Sequence, residues 1–213
     1  MKKYKLYLFD LDGTLLDSDQ MIIETFHYLY KKYKPADFKV DEAKLLTFSG
    51  PPIRETLKNE FPEYDQEEFL KIWRQESIKN YPIYTKLFPG TLEILSTLVE
   101  KKYNVAIVTN KHRTASDEAF KLFGIADLGI WSVSGDDVKR QKPDPEGIFI
   151  AMKHFGVNDR KDVIYIGDSV YDASTAENAG VDFGLVSWTP RKLPENAKIA
   201  WKIDSFSEMA RSL

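Results

Sequence analysis

The sequence predicts an α/β fold in which a doubly wound parallel β-sheet carries an inserted, small all-helical domain. From Pro89 onward, apolar runs of strand length alternate with helical patterns, which is typical of consecutive βαβ units. The first two strand-like runs, Leu6 to Phe9 and Asn104 to Val108, are separated by roughly ninety residues. An ordinary parallel crossover needs little more than about a dozen residues, so an insertion explains the distance.

The first predicted strand ends abruptly at two carboxylates. Leu6 to Phe9 is a continuous apolar run, as expected for a strand covered on both faces, and Asp10 and Asp12 follow it. Their two-residue spacing directs both side chains the same way, and Gly13 permits a sharp exit from the strand. Taken alone, Asp10 to Gly13 is equally consistent with a polar turn that closes a strand.

The inserted region contains helical patterns and no strand pattern. We predict four helices between residues 18 and 82, with the third opened by Pro51-Pro52 and the fourth ended by Pro82. Asp19 is the expected cap of the first helix, and Asp65 with Glu68 resembles a capping box at the start of the fourth. We place the core at residues 1–16 and 87–213 and the helical insert at residues 17–86, with hinges near both of its ends.

The remaining elements follow the alternating pattern to the end of the chain. Helices are predicted from the apolar spacing around Leu95, Ala119, Met152 and Ala176, with a final helix capped by Ser205. Strands are predicted at Asn104–Val108, Leu128–Val133, Val163–Ile166, Phe183–Val186 and Ala200–Ile203.

Composition excludes several classes of protein. The 213 residues contain no cysteine, so disulfides, thiolate metal sites and cysteine nucleophiles are excluded. The net charge is −3 and no basic block is present, which disfavours nucleic-acid binding. No apolar run is long enough to cross a bilayer, and the basic start is followed by too short an apolar run for a signal peptide. We expect a soluble cytoplasmic protein, a monomer or a homodimer, without a membrane partner.

Polar or acidic residues follow each of the three clearest strands. They are Asp10 and Asp12 after the first, Thr109 and Asn110 after the second, and Asp168 and Asp172 after the later one. Ligands of parallel sheets bind beyond the carboxyl ends of the strands, so these side chains should meet there. The carboxylates have no obvious basic partner nearby in the sequence, and a set of oxygen ligands without cysteine suits a hard ion such as Mg²⁺.

A lysine and two polar residues are predicted to bind phosphate at this edge. Lys142 stands in a loop before a helix begun by proline, and its compact ammonium can offset phosphate charge. Thr109 offers a hydroxyl, and Asn110 offers a backbone N–H near a helix start. Considered by itself, Lys142 is more simply a solvated loop lysine.

These motifs together resemble those of the haloacid dehalogenase (HAD) superfamily of phosphohydrolases. The four signatures occur in order over the whole chain, as Asp10-Leu-Asp12-Gly-Thr, Thr109-Asn110, Lys142-Pro-Asp-Pro and Gly167-Asp168-Ser-Val-Tyr-Asp172. The insertion after the first motif is similar to the family's helical cap. Ser49-Gly-Pro-Pro-Ile-Arg54 and Val108-Thr-Asn-Lys111 further resemble the branch of phosphoglycolate phosphatases and pyrophosphatases.

The resemblance implies a role for each motif residue. Asp10 is implied to be the nucleophile that forms an aspartyl phosphate, and Asp12 the acid/base. Asp10, the Asp12 carbonyl and Asp168 are implied to bind Mg²⁺, with Asp172 in support. Thr109, Asn110 and the catalytic Lys142 are implied to hold the phosphoryl group.

The resulting functional hypothesis is a Mg²⁺-dependent phosphatase for a phosphoglycolate-like monoester or pyrophosphate. A sugar-phosphate mutase shares the same core motifs, and a catalytically silent binding module is a third alternative. Arg54 is the candidate residue of the insert for meeting a substrate anion, although a solvated helix charge is the simpler interpretation. The three histidines, His27, His112 and His154, lack metal-ligand spacing, and only His112 falls near the predicted site.

Overall fold

The computed structural model describes residues 2–213 and contains eight strands within them. In chain order they are β1 (Leu6–Phe9), β2 (Leu16–Asp17), β3 (Lys86–Leu87), β4 (Asn104–Val108), β5 (Trp131–Val133), β6 (Val163–Gly167), β7 (Asp182–Val186) and β8 (Trp201–Ile203). Six of them form one sheet in the order β5-β4-β1-β6-β7-β8, and every neighbouring pair is parallel. The predicted parallel sheet is confirmed.

Nine α-helices accompany the strands in residues 2–213. They are α1 (Asp19–Tyr33), α2 (Glu42–Leu45), α3 (Ile53–Glu60), α4 (Gln66–Tyr84), α5 (Thr91–Glu100), α6 (Arg113–Leu122), α7 (Glu146–His154), α8 (Val170–Ala179) and α9 (Phe206–Ser212). Single turns of 3₁₀-helix lie at Ala126–Leu128 and Arg160–Asp162.

Helices cover both faces of the parallel sheet. Tyr7 and Phe9 of β1 belong to the core formed with α5, α6 and α9, whereas Leu6 and Leu8 belong to the core formed with α7 and α8. All four residues of β1 are buried, which is why the strand is apolar throughout instead of alternating. Burial of each such side chain contributes about 1.5–3 kcal/mol before conformational entropy is counted.

Helices α1 to α4 form the helical insert and have a hydrophobic core of their own. Phe26 of α1, Phe61 after α3 and Phe69 of α4 are fully buried there, and the rings of Phe61 and Phe69 lie 4.5 Å apart. The division at residues 17–86 stays a prediction, and its two ends coincide with β2 and β3. These strands pair antiparallel, Leu16 opposite Leu87 and Asp17 opposite Lys86. Sequence analysis missed them because two residues are too few to show a periodic pattern.

Several predicted boundaries differ from the structure, and three of the differences concern features named above. Helix α4 continues past Pro82 to Tyr84, where the Thr85 N–H donates to the Tyr81 carbonyl, so proline does not end this helix. The predicted strand from Leu128 begins only at Trp131, because residues 126–128 form the 3₁₀ turn. The first residue of α1 is Asp19, and Ser18 holds the cap position without a side-chain cap bond.

None of the helices in residues 2–213 combines the length and the hydropathy that crossing a membrane requires.

Candidate active site

The carboxyl ends of three adjacent strands bring the predicted site residues together. β1 lies between β4 and β6, so Asp10, Thr109 and Asp168 follow neighbouring strands. Asp10 is 2% exposed and Asp168 is 1% exposed, so both carboxylates are buried within protein. The predicted convergence at this edge is therefore observed.

Gly13 allows the chain to leave β1 against the side chain of Asp168. Its φ is +85°, a conformation that residues other than glycine rarely adopt. A Cβ at this position would lie 2.4 Å from Asp168 Oδ2, so even alanine has no room. Glycine is therefore required here both for backbone conformation and for close approach.

Lys142 is buried between two carboxylates. Its Nζ lies 2.6 Å from Asp10 Oδ1, 2.7 Å from Asp172 Oδ1 and 3.0 Å from the Tyr165 hydroxyl. Burial by itself lowers the pKa of Lys142, but the charges of Asp10 and Asp172 outweigh it and raise the pKa. The side chain is thus a fixed ammonium, 5% exposed, and not a solvated loop lysine.

Asp172 is held in place by the first turn of α8. Its Oδ2 accepts from the N–H groups of Asp168 and Ser169 and from the Ser169 hydroxyl, which completes a capping box. Burial raises the pKa of Asp172, but Lys142 and these donors outweigh burial and lower it. Asp172 is therefore an ionised anchor for Lys142.

Asp12 is paired with Lys111 beneath a tyrosine of the insert. Lys111 Nζ donates to both carboxylate oxygens of Asp12, at 2.9 and 3.1 Å, and lies 4.6 Å from the centre of the Tyr81 ring. Burial lowers the pKa of Lys111, but Asp12 outweighs burial and raises it. Although Lys111 is part of the Thr-Asn-Lys run quoted above, sequence analysis gave it no role.

Asp168 also has a basic partner, Arg191. The Arg191 guanidinium bridges Asp168 and Asp19 at the start of α1, and it comes from the irregular segment after β7. In the structure each of Asp10, Asp12 and Asp168 therefore has a basic partner, although none stands close to it in the sequence. The partners of Asp10, Asp12 and Asp168 lie far along the chain, so only the folded structure pairs them.

Thr109 and Asn110 organise the loop between β4 and α6. The Thr109 hydroxyl accepts from the Lys111 N–H at 3.1 Å. The Asn110 side chain accepts from the Lys142 N–H at 2.9 Å and donates to the carbonyls of Lys142 and Gly50. Asn110 thus connects the loop that carries Lys142 with the helical insert. This structural role is additional to the predicted phosphate contact.

Three buried carboxylates could hold a cation. Oxygens of Asp10, Asp168 and Asp172 lie within 4.8 Å of one another. Burial raises the pKa of Asp10 to about 7 and that of Asp168 well above its usual range, so the nearby cations do not fully offset the buried charge. Asp168 and Asp172 both accept hydrogen bonds at each of their oxygens, and the all-oxygen set of three carboxylates fits a hard divalent ion.

A cavity of about 730 Å³ lies between this edge and the helical insert. Asp10, Asp12 and Lys142 line it on the side of the sheet, and Arg54 lines it on the side of the insert. The Arg54 guanidinium is exposed and pairs with Glu67, so its proposed contact with substrate stays a prediction. His112 also lines the cavity, and its Nε2 lies 3.2 Å from Asp136.

The charged side chains at this edge of the sheet suit a substrate whose electrophilic group carries negative charge. A buried carboxylate beside a fixed ammonium can receive a phosphoryl group, since positioning and charge neutralisation dominate phosphoryl transfer. A doubly wound sheet with this site beneath a helical insert defines an enzyme of the phosphohydrolase class. The chain belongs to the haloacid dehalogenase-like hydrolase family, whose model matches residues 7–186.

Comparisons with individual proteins agree with this family. The chain is 33% identical to the pyrophosphatase PpaX of Bacillus velezensis over 188 residues, which are 88% of this chain and 85% of that protein. A haloacid dehalogenase-like hydrolase from Bacteroides fragilis superposes with a TM-score of 0.86 and 27% identity, covering 97% of this chain and all of the other. A Haemophilus somnus protein described as a predicted phosphoglycolate phosphatase superposes with a TM-score of 0.79 and covers 100% of this chain and 99% of that one. At 23% identity, it shows the fold alone.

Proposed function

We propose that this protein is a Mg²⁺-dependent phosphatase that hydrolyses a small phosphorylated compound through an aspartyl phosphate at Asp10. The observation that carries the proposal is the fixed pair of Asp10 and Lys142 on the cavity wall, with Lys142 Nζ 2.6 Å from Asp10 Oδ1. This contact orients the carboxylate and leaves a positive charge beside the position where a phosphoryl group would arrive.

The proposed reaction has two steps. In the first, an oxygen of Asp10 bonds to phosphorus as the bond to the leaving oxygen breaks, and Asp12 gives that oxygen a proton. In the second, Asp12 takes a proton from water, the water oxygen bonds to phosphorus, and Asp10 is released with inorganic phosphate. A carboxylate nucleophile divides the displacement in this way, and an acid/base typically contributes about a hundredfold or more.

Lys111 controls the position of Asp12 in this scheme. It donates to both oxygens of Asp12, so it must release one of them before Asp12 can carry a proton. The same contact fixes the carboxylate on the cavity wall, which favours removal of a proton from water in the second step.

Asp10 and Asp168 would hold the Mg²⁺ ion, with the Asp12 carbonyl as a further ligand and Asp172 in support. When bound, the ion would supply positive charge to the phosphoryl oxygens. Lys142 supplies a second positive charge, and the loop of Thr109 and Asn110 would position the phosphoryl group.

Two kinds of substrate are compatible with this mechanism. The name of the Bacillus velezensis relative favours pyrophosphate. The resemblance of Ser49–Arg54 and Val108–Lys111 to the phosphoglycolate phosphatase branch keeps a phosphate monoester such as phosphoglycolate as the second candidate. Release of inorganic phosphate from either one distinguishes hydrolysis from the transfer that a sugar-phosphate mutase performs.

The test is phosphate release from a panel of monoesters and pyrophosphate, with Mg²⁺ or with a chelator. We expect turnover with Mg²⁺ only, and none by Asp10→Asn, because an amide of nearly the same shape cannot be the nucleophile. Asp12→Asn should lose about a hundredfold or more. The control is Asp127→Asn, at an exposed residue in the 3₁₀ turn before β5, which should match the unmodified protein.

Two outcomes would contradict the proposal. Phosphate release by a correctly folded Asp10→Asn variant would remove Asp10 as the nucleophile. Unchanged turnover in chelator would remove the divalent ion from the mechanism.

A further inference from the structure

The cavity continues well beyond the catalytic carboxylates along helix α4. Trp73, Arg74, Ser77 and Tyr81 of this helix all line it. Its volume of about 730 Å³ lies within the range of roughly 300–1,000 Å³ that holds drug-sized ligands. Phosphoglycolate and pyrophosphate would therefore leave most of it unfilled.

Helix geometry gives the distance from the reaction to the far part of the cavity. Tyr81 marks the catalytic end, since its ring contacts Lys111, which holds Asp12. Arg74 lies seven residues earlier, which is two turns along the same face, or ~10 Å. A ligand that extends along α4 from the catalytic end to Arg74 would span about this distance.

The wall over this distance is mainly apolar. Its aliphatic and aromatic members include Met21, Ile22, Phe48, Leu70, Trp73 and Tyr81. Such a surface gains free energy by covering carbon and aromatic groups, and gains nothing from a second phosphoryl group.

Arg74 is the one basic side chain of the cavity wall that forms no ion pair within 4 Å among residues 2–213. The other four already contact carboxylates: Arg54, Lys111, His112 and Lys142. The nearby carboxylate that feels the Arg74 charge, Glu67, is already paired with Arg54. The Arg74 guanidinium can therefore bind a carboxylate or another anion of the ligand without breaking an ion pair.

Two buried polar groups on the same wall also lack partners in the described part of the chain. They are the Ser49 hydroxyl and the Trp73 indole N–H. Buried polar groups are normally hydrogen-bonded, so both are candidate donors to a ligand after small side-chain movements.

We infer that the substrate is a phosphate monoester whose leaving group has an elongated apolar or aromatic body and ends in an anionic group bound by Arg74. This inference rests on the proposed phosphatase function and names its substrate class. Trp73 and Arg74 act as specificity residues, while the reacting groups are those at the sheet edge.

The test compares three compounds by kcat/KM for phosphate release. They are 4′-carboxybiphenyl-4-yl phosphate, its analogue without the carboxylate, and pyrophosphate. In the first compound ~10 Å separates the carboxylate from phosphorus, which matches the two helical turns between Arg74 and Tyr81. We expect the carboxylated ester to exceed pyrophosphate by about tenfold or more, since only the ester covers the apolar wall and reaches Arg74.

Variants of α4 identify the residue responsible. Arg74→Ala should lower kcat/KM for the carboxylated ester by roughly tenfold to a hundredfold, the effect of one hydrogen bond to a charged group. It should change kcat/KM for the ester without the carboxylate less than about twofold, and Arg74→Lys should retain most of the preference for the carboxylated ester. The matched control is Lys71→Ala, an exposed cation on the same helix that does not line the cavity.

A preference for pyrophosphate, or equal losses on the two esters in Arg74→Ala, would overturn the inference. Its failure can be distinguished from failure of the proposed function by calorimetry with the leaving group, 4′-hydroxybiphenyl-4-carboxylate. If no compound releases phosphate, the proposed phosphatase function fails. Binding of this leaving group that is lost in Arg74→Ala would still support the inferred ligand class, whereas absence of binding would overturn the ligand class as well.

Discussion

Lys142 is the residue on which the buried charges of the site depend most. It is 5% exposed and contacts Asp10 and Asp172, which are themselves buried. Burying charged groups is costly, and removal of one member of a buried set leaves the others unpaired. The lysine should therefore stabilise the folded state in addition to its proposed role beside the phosphoryl position.

Lys142→Met should lower the free energy of unfolding by about 3–5 kcal/mol, because it leaves two buried carboxylates without their cation. The measurement is urea unfolding in the presence of chelator, so that a divalent ion does not replace the lost charge. The control is Lys139→Met, an exposed lysine of the same loop, which should stay within about 0.5 kcal/mol.

A double variant tests the cause of this loss. Adding Asp10→Asn to Lys142→Met removes one unpaired charge and should recover part of the lost stability. If the two losses simply add, the pairing of Asp10 with Lys142 is not what stabilises the protein.

The exit from β1 decides whether the proposed metal ligands can assemble. Gly13 lies against Asp168, which follows β6, and β1 pairs with β6 in the sheet. A single backbone position therefore sets the separation between the acidic residues of two strands.

Gly13→Ala should abolish Mg²⁺-dependent stabilisation and lower the free energy of unfolding by about 2 kcal/mol or more. The added Cβ would lie 2.4 Å from Asp168 Oδ2, and a positive φ alone costs about 1–2 kcal/mol for alanine. Thermal unfolding across a Mg²⁺ titration measures both effects, because an ion that binds the folded state raises the melting temperature.

Gly129→Ala is the matched control for this experiment. Gly129 also has a positive φ, of +64°, but no atom lies within 4 Å of the Cβ position. This variant should show only the conformational cost and keep the Mg²⁺ response. Equal effects of the two substitutions would mean that the approach to Asp168 is unimportant.

In the whole molecule, the helical insert covers the carboxyl edge of the sheet. It contacts the core through the Asn110 side chain at the Gly50 carbonyl and through Tyr81 above Lys111. The paired strands β2 and β3 connect it to the sheet at both ends. We therefore predict that it closes over bound substrate and excludes water, as lids commonly do.

Closure should restrict the enzyme to compounds that fit beneath the insert. Small phosphate esters should be hydrolysed, whereas phosphate release from an intact, folded phosphoprotein should be undetectable under the same conditions. An unrelated phosphatase without a cap should release phosphate from the same phosphoprotein sample. Efficient dephosphorylation of that protein by the present enzyme would refute the closing insert.

Arg54 also bears on which substrates fit beneath the insert, because it lines the cavity on the side of the insert. Its pairing with Glu67 predicts that Arg54→Ala changes kcat/KM on small esters less than about threefold. A larger loss that is confined to dianionic substrates would instead assign Arg54 to the substrate anion.

Patterns in the amino-acid sequence were enough to predict the architecture and the position of the candidate site. Continuous apolar strands, helical spacing between them and one long interruption were sufficient for a parallel sheet with a helical insert. Asp10, Thr109 and Asp168 could be located because each follows a strand directly, and strand ends meet at one edge. Asp12 could be located because it lies two residues after Asp10. These are local patterns, which can be recognised from residues that are close together in the sequence.

The pairing of charges and the shape of the cavity could be seen only in the folded molecule. Lys111 with Asp12 and Arg191 with Asp168 join residues that are distant in sequence, and neither contact leaves a periodic signal. Arg74 could not be distinguished from any exposed helix arginine until α4 was placed over the sheet edge. Hydrophobic periodicity in the sequence shows which face of a helix or strand is buried. Electrostatic pairing and cavity shape depend instead on how separate elements approach one another in the folded chain.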